Sequence, residues 1–215
     1  MRAGTEDGFG GVVTTGWGHY PEGSDRPAEL STVWMDFSGN YRSMAGPVID
    51  CSDINGTNGY CDPAAEEELR RRIADFSYHG IHVLDSGNYF YLSLFWLEKI
   101  ETDFSLALID NHPDCQPAAF GLLSCGGWVA EAIERLPHLK RVYMIGVNPA
   151  LIDELIARGE LPECSEVIDY GRGDGSAGAD AILSAADRIS NDHPLYLSVD
   201  LDALRKEDAA CDWDQ

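Results

Sequence analysis

The sequence predicts an α/β fold in which a mainly parallel sheet is flanked by helices on both faces, giving three layers. Short apolar runs of strand length alternate with segments of helical length from residue 81 onward, the pattern of crossover units. Two of those runs end in closely spaced carboxylates, Asp110 with Asp114 at spacing four and Asp200 with Asp202 at spacing two. In parallel sheets, ligands gather beyond the carboxyl ends of the strands.

At 215 residues the chain suits one domain with a sizeable core. Its apolar share of 44% is ordinary, and no apolar run approaches a membrane span. The start, MRAGTEDGFGG, lacks an apolar stretch behind a basic end, so no signal peptide is read and a cytoplasmic protein is expected. Six cysteines without a CxxC pair read as reduced thiols. A net charge of -22 repels phosphate backbones and argues against nucleic acid as partner; it favours a small cationic ligand and also serves solubility. The sequence permits a homo-oligomer.

Residues 1–30, rich in Gly, Pro and charge without a period, read as a flexible leader, and residues 31–215 as one α/β domain. Ser31 to Phe37 is the first expected strand and Val48 to Cys51 a short second one. Asp62-Pro63 is a cap followed by proline at the first helical position, and opens a helix through AAEEELRRRIADFSYHG. There Leu69, Ile73 and Phe76 recur at helical spacing, Glu66, Glu67 and Glu68 each face an Arg four residues on, and Gly80 is the expected stop.

Ile81 to Asp85 is the next strand, and Asn88 to Lys99 is apolar and aromatic enough for a buried helix. Strand Phe104 to Asp110, a helix from about Gly126 to Leu136 and strand Lys140 to Gly146 follow. Asn148-Pro149 caps a helix that Gly159 ends. Residues 164–170 form a strand, Ala179 to Ile189 a helix, and Pro194 to Asp200 the last strand. The chain stops at Gln215 a loop's length later, which reads as a minimal fold or one incomplete at its C-terminus.

The chemistry concentrates in Asp110-Asn111-His112-Pro113-Asp114. In an extended chain, residues i, i+2 and i+4 share a side, so two carboxylates and an imidazole converge. The competing reading is a polar loop with two turn-forming Asp. The second cluster, Leu195-Tyr196-Leu197-Ser198-Val199-Asp200-Leu201-Asp202, tips the balance toward a metal site. Four carboxylates and one imidazole favour manganese among the divalent ions, and bridging carboxylates could hold two of them.

These motifs resemble the ureohydrolases, the family of arginase and agmatinase, whose two manganese ions are held by Asp-x-His-x-Asp and a later Ser-x-Asp-x-Asp. Here they are DNHPD (110–114) and SVDLD (198–202), in the same order and both after strands. The resemblance covers roughly residues 81–215 and implies the arginase/deacetylase-like version of the three-layer fold. It implies that Asp110 and Asp200 bridge the ions, that His112 and Asp202 complete one site, and that Asp114 serves the other and takes part in catalysis. It also implies a metal-bound hydroxide that hydrolyses a carbon–nitrogen bond of a guanidino or amidino compound.

Two departures bear on this. The family's earlier Gly-Gly-Asp-His segment supplies a metal-binding histidine, whereas the corresponding Asp85-Ser86-Gly87-Asn88-Tyr89-Phe90-Tyr91 has none. One ion should therefore bind weakly or not at all. The family's proton-transfer histidine falls where this chain reads LLSCGGWV, with Ser124 and Cys125. The alternative is a catalytically silent relative that serves as a binding or assembly module.

Other signals carry less. Gly173-Asp174-Gly175-Ser176-Ala177-Gly178 matches a dinucleotide fingerprint, but its preceding strand is short and acidic and a phosphate would meet Asp174. Arg172-Gly173-Asp174 reads as chance, Cys125 as a structural thiol rather than a nucleophile, and Tyr89, Phe90, Tyr91, Phe95 and Trp96 as core. His79, His82, His138 and His193 lack ligand-like company.

Overall fold

The computed structural model describes residues 31–169, 186–204 and 206–208, and the backbone of residues 13–17. Ten strands and four helices are defined there: β1 Val13–Trp17, β2 Thr32–Asp36, β3 Val48–Asp50, β4 Tyr60–Cys61, α1 Pro63–Ile73, β5 Ile81–Val83, α2 Leu92–Leu97, β6 Phe104–Ile109, β7 Leu123–Ser124, α3 Trp128–Arg135, β8 Leu139–Ile145, α4 Pro149–Arg158, β9 Ser165–Ile168 and β10 Leu195–Val199. Eight strands form one sheet in the order β3-β2-β5-β1-β10-β6-β8-β9, while β4 and β7 pair as a separate two-stranded ribbon. Every pairing in the large sheet is parallel except the two made by β1. The carboxyl ends of β5, β6, β8 and β10 therefore share one edge.

The apolar run in β6 is explained by burial on both faces. Leu106 and Leu108 enter the main core with α1, α2 and α3, while Ala107 and Ile109 join Tyr143, Ile145 and Ile168 on the other side. All six residues of α2 are buried, and Trp96 and Trp128 are the largest fully enclosed side chains.

Several expectations are corrected. Within the presumed leader, Val13–Trp17 is a strand that pairs with both β5 and β10; the rest of residues 1–30 lies outside the described residues. The first helix stops at Ile73 rather than at Gly80, and there the Lys99 ammonium satisfies the end carbonyls of Ile73 and Ala74, donating at 2.7 and 2.9 Å. Gly80, at φ 147°, instead lets the start of β5 approach β2, since a Cβ there would lie 2.5 Å from the carbonyl oxygen of Ser31. Of the three Glu–Arg pairs expected, Glu66–Arg70 and Glu68–Arg72 form, while Arg71 turns to Glu68.

The caps fall where the sequence puts them. Asp62 accepts from the Ala65 amide, Asn148 from that of Ala150, and Gly159 closes α4 at φ 68°. Most of the helix expected at 179–189, the fingerprint-like 173–178 and the Arg172–Asp174 tripeptide lie outside the described residues.

Candidate metal centre

The two acidic motifs meet because β6 and β10 are adjacent, parallel and in register, with Ile109 opposite Val199. The residues that follow, Asp110 and Asp200, thus leave the sheet side by side. Backbone bonds fix the exit: the Asp200 amide donates to Ile109 O at 2.8 Å and the Asp110 amide to Ile145 O at 3.3 Å. Beyond that point the chain curls rather than staying extended. The His112 amide turns back onto Asp110 Oδ1 at 2.6 Å, and Asp114 sits at φ 48°. Convergence therefore comes from a tight turn, not from the strand alternation that the spacing suggested.

Asp110, His112 and Asp202 each offer a ligand atom within 4.8 Å of the others, enough for one divalent ion. Asp114 and Asp200 fall outside that group but line the same cavity, of about 540 Å³, together with all three. Each of the four carboxylates has one oxygen held by an N–H. Asp110 Oδ1 accepts from His112 N at 2.6 Å, Asp200 Oδ1 from Asp202 N at 3.0 Å, Asp202 Oδ1 from Asn111 N at 3.1 Å, and Asp114 Oδ2 from the Trp128 indole at 2.7 Å. Such anchoring fixes the side chains before any ion arrives.

Four acids in an enclosed place repel one another. Burial, then the charges of Asp202 and Asp200, raises the Asp110 carboxyl; burial and Asp110 raise Asp114; burial and Asp202 raise Asp200. His112 Nδ1 lies 2.9 Å from Asp202 Oδ2 and 3.5 Å from Asp110 Oδ1, and these carboxylates push its pKa up to about 10. A protonated imidazole is thus the local countercharge, in the place a divalent cation would take.

The departures from the resembled family are visible too. Asp85 is not a cavity residue: at φ 62° its Oδ2 accepts from the amides of Phe37 and Ser38, both at 2.7 Å, and so braces the turn after β2. Gly87 and Phe90 line the cavity, whereas Asn88 uses its carbonyl to hold the Gly59 amide. Ser124 and Cys125 do line the cavity, brought there by the pairing of β7 with β4. Burial first, and the Asp114 charge next, push the Cys125 thiol up to about 11, so it stays protonated near neutrality.

Sequence reasoning missed Tyr60, Gln116 and Asn148 as cavity residues, and Trp128 as the partner of Asp114. Asn148 carried a visible signal as a helix cap but none as a wall. Trp128 reaches Asp114 only because the intervening loop folds back, with the Gln116 amide bonded to Gly126 O at 2.9 Å.

An uncharacterized protein of Thermotoga maritima is 31% identical to this chain over 176 residues, a match that covers 79% of the chain and 62% of the relative. The chain thus spans less than two thirds of that relative's length. No protein-family model and no solved structure matches the chain.

Proposed function

We propose that this protein is a divalent-metal-dependent hydrolase of the arginase and agmatinase type, acting on a carbon–nitrogen bond of a small guanidino or amidino cation. The observation that carries the reading is the meeting of DNHPD and SVDLD in one cavity, with donor atoms of Asp110, His112 and Asp202 within 4.8 Å of one another. Hard carboxylate oxygens and one imidazole suit manganese, with other divalent ions as competitors. When bound, such an ion supplies a Lewis acid that lowers the pKa of a coordinated water.

The chain's own residues would do the rest. Asp110, His112 and Asp202 hold the ion, and Asp200 adds a carboxylate from the neighbouring strand. Asp114 Oδ1, the oxygen not engaged by Trp128, is the proton acceptor we assign. Tyr60 borders the same cavity, and an aromatic wall suits the flat face of a delocalised cation. The net charge of -22 favours such a substrate over a nucleic acid.

A second reading, a metal-binding but catalytically silent module, is favoured by one observation: the segment Asp85 to Tyr91 brings no histidine to the cavity. Purified protein loaded with manganese, assayed for urea or ammonia release from a panel of guanidino and amidino compounds, separates the two. Turnover abolished by Asp202→Asn supports the hydrolase. Tight manganese binding without turnover supports the module, and absence of both overturns both.

A further inference from the structure

We propose that Trp128 is a positioning residue for Asp114, holding one carboxylate oxygen so that the other is presented to the metal cavity; this rests on the metal-centre reading above. Asp114 is restrained at its carbonyl and at its carboxylate. Its backbone lies in the left-handed region at φ 48°, which non-glycine residues adopt uncommonly and Asp more readily than most. Its carbonyl accepts from the amides of Val129 and Ala130 in the first turn of α3, at 3.0 and 3.4 Å. Its Oδ2 accepts from Trp128 Nε1 at 2.7 Å.

The indole cannot yield easily. Trp128 has 0% of its surface exposed, and its ring lies 6.3 Å from that of Phe90, which itself borders the cavity. The Gly126-Gly127 pair ahead of it lets α3 begin this close. A Cβ on Gly127 would come within 2.8 Å of Gln116 O and one on Gly126 within 2.9 Å of Gln116 Oε1. The contrast with the other acids is instructive. Asp110 and Asp200 are anchored by backbone amides of their own motifs and Asp202 by the Asn111 amide and His112 Nδ1 of the other motif, while the anchor of Asp114 is an indole N–H from α3. A single substitution at Trp128 therefore loosens Asp114 without touching either motif.

Manganese titration of four proteins tests this: wild type, Trp128→Phe, Asp114→Asn and the double variant. Trp128→Phe keeps a ring and removes the N–H. It is expected to weaken manganese binding in the cavity by about 10- to 100-fold, the range for lost outer-shell partners. In the Asp114→Asn background the same change should have little further effect on binding. A lower melting temperature in chelator with unchanged manganese affinities would mean that Trp128 is merely a packing residue, and would overturn the inference. Wild type that takes up no manganese overturns the metal-centre reading and this inference with it.

Should Trp128→Phe fail to fold, the indole 1H–15N resonance that moves on Asp114→Asn reports the same bond. In wild type it should shift during titration with magnesium alone, and its invariance would count against the proposal.

Discussion

His112 Nδ1 lies 2.9 Å from Asp202 Oδ2, a contact that joins the loop after β6 to the turn after β10. Two segments distant in the chain thus share one donor set, and each depends on the other for its charge balance.

Replacing Asp200 with Asn should raise thermal stability in chelator and lower it in manganese. Without a cation, one carboxylate fewer relieves the repulsion that lifts Asp110, Asp114 and Asp200. With the ion bound, a ligand is lost and mass-action stabilisation shrinks. Paired melting curves decide it, at roughly 2–4 °C for each kcal/mol in a chain of this size. A shift of the same sign and size in both buffers would remove Asp200 from the site.

Elemental analysis after dialysis against manganese should find about one tightly held ion per chain, because the donor group of Asp110, His112 and Asp202 has no histidine partner from the Asp85–Tyr91 segment. His112→Ala should abolish that retention. Two ions held tightly would show that another group completes the second position.

Stability should also depend on pH through His82, which is fully enclosed and stacks on Trp96 with ring centroids 3.7 Å apart. Burial lowers its pKa to about 4. Because the folded value is depressed below the ordinary 6.5, the contribution is fully present above that pH. It is lost as pH falls from about 6.5 toward 4, where the unfolded chain binds a proton that the folded one refuses. The full effect is on the order of 3 kcal/mol. Denaturant titrations in saturating manganese should show this slope, and His82→Phe should flatten it; an unchanged slope would mean that the ring is protonated in place.

Cys125→Ala should leave manganese affinity and any turnover within a few-fold of wild type, and iodoacetamide should label Cys125 slowly at neutral pH. A thiol whose pKa is pushed up to about 11 offers little thiolate there. Rapid labelling, or loss of turnover in the variant, would instead make it a participant.

Much of the architecture was legible because it rests on local rules. The caps at Asp62, Asn148 and Gly159, the two-sided burial of β6 and the acidic strand ends were all written in adjacent residues. What escaped was tertiary. The ammonium of Lys99 satisfies the end of α1 from the far side of α2, and the indole of Trp128 reaches Asp114 across a loop. Nor does spacing alone distinguish an extended Asp-x-His-x-Asp from a turned one. The left-handed backbone at Asp114 and the bond from the His112 amide decide that locally.

Among the described residues, the antiparallel strand β1 alone links two blocks of the large sheet, β3-β2-β5 on one side and β10-β6-β8-β9 on the other. Val13 faces Val83 across one edge and Val199 across the other, so among the described strands hydrogen bonding from block to block runs through β1. Val13 and its partner Val199 lie far apart in the sequence, so closure of the sheet is long-range and should slow folding. The same pairing also places the seam of the sheet one residue from Asp200, so the junction that joins the two blocks is also the one that brings the acidic motif of β10 into place.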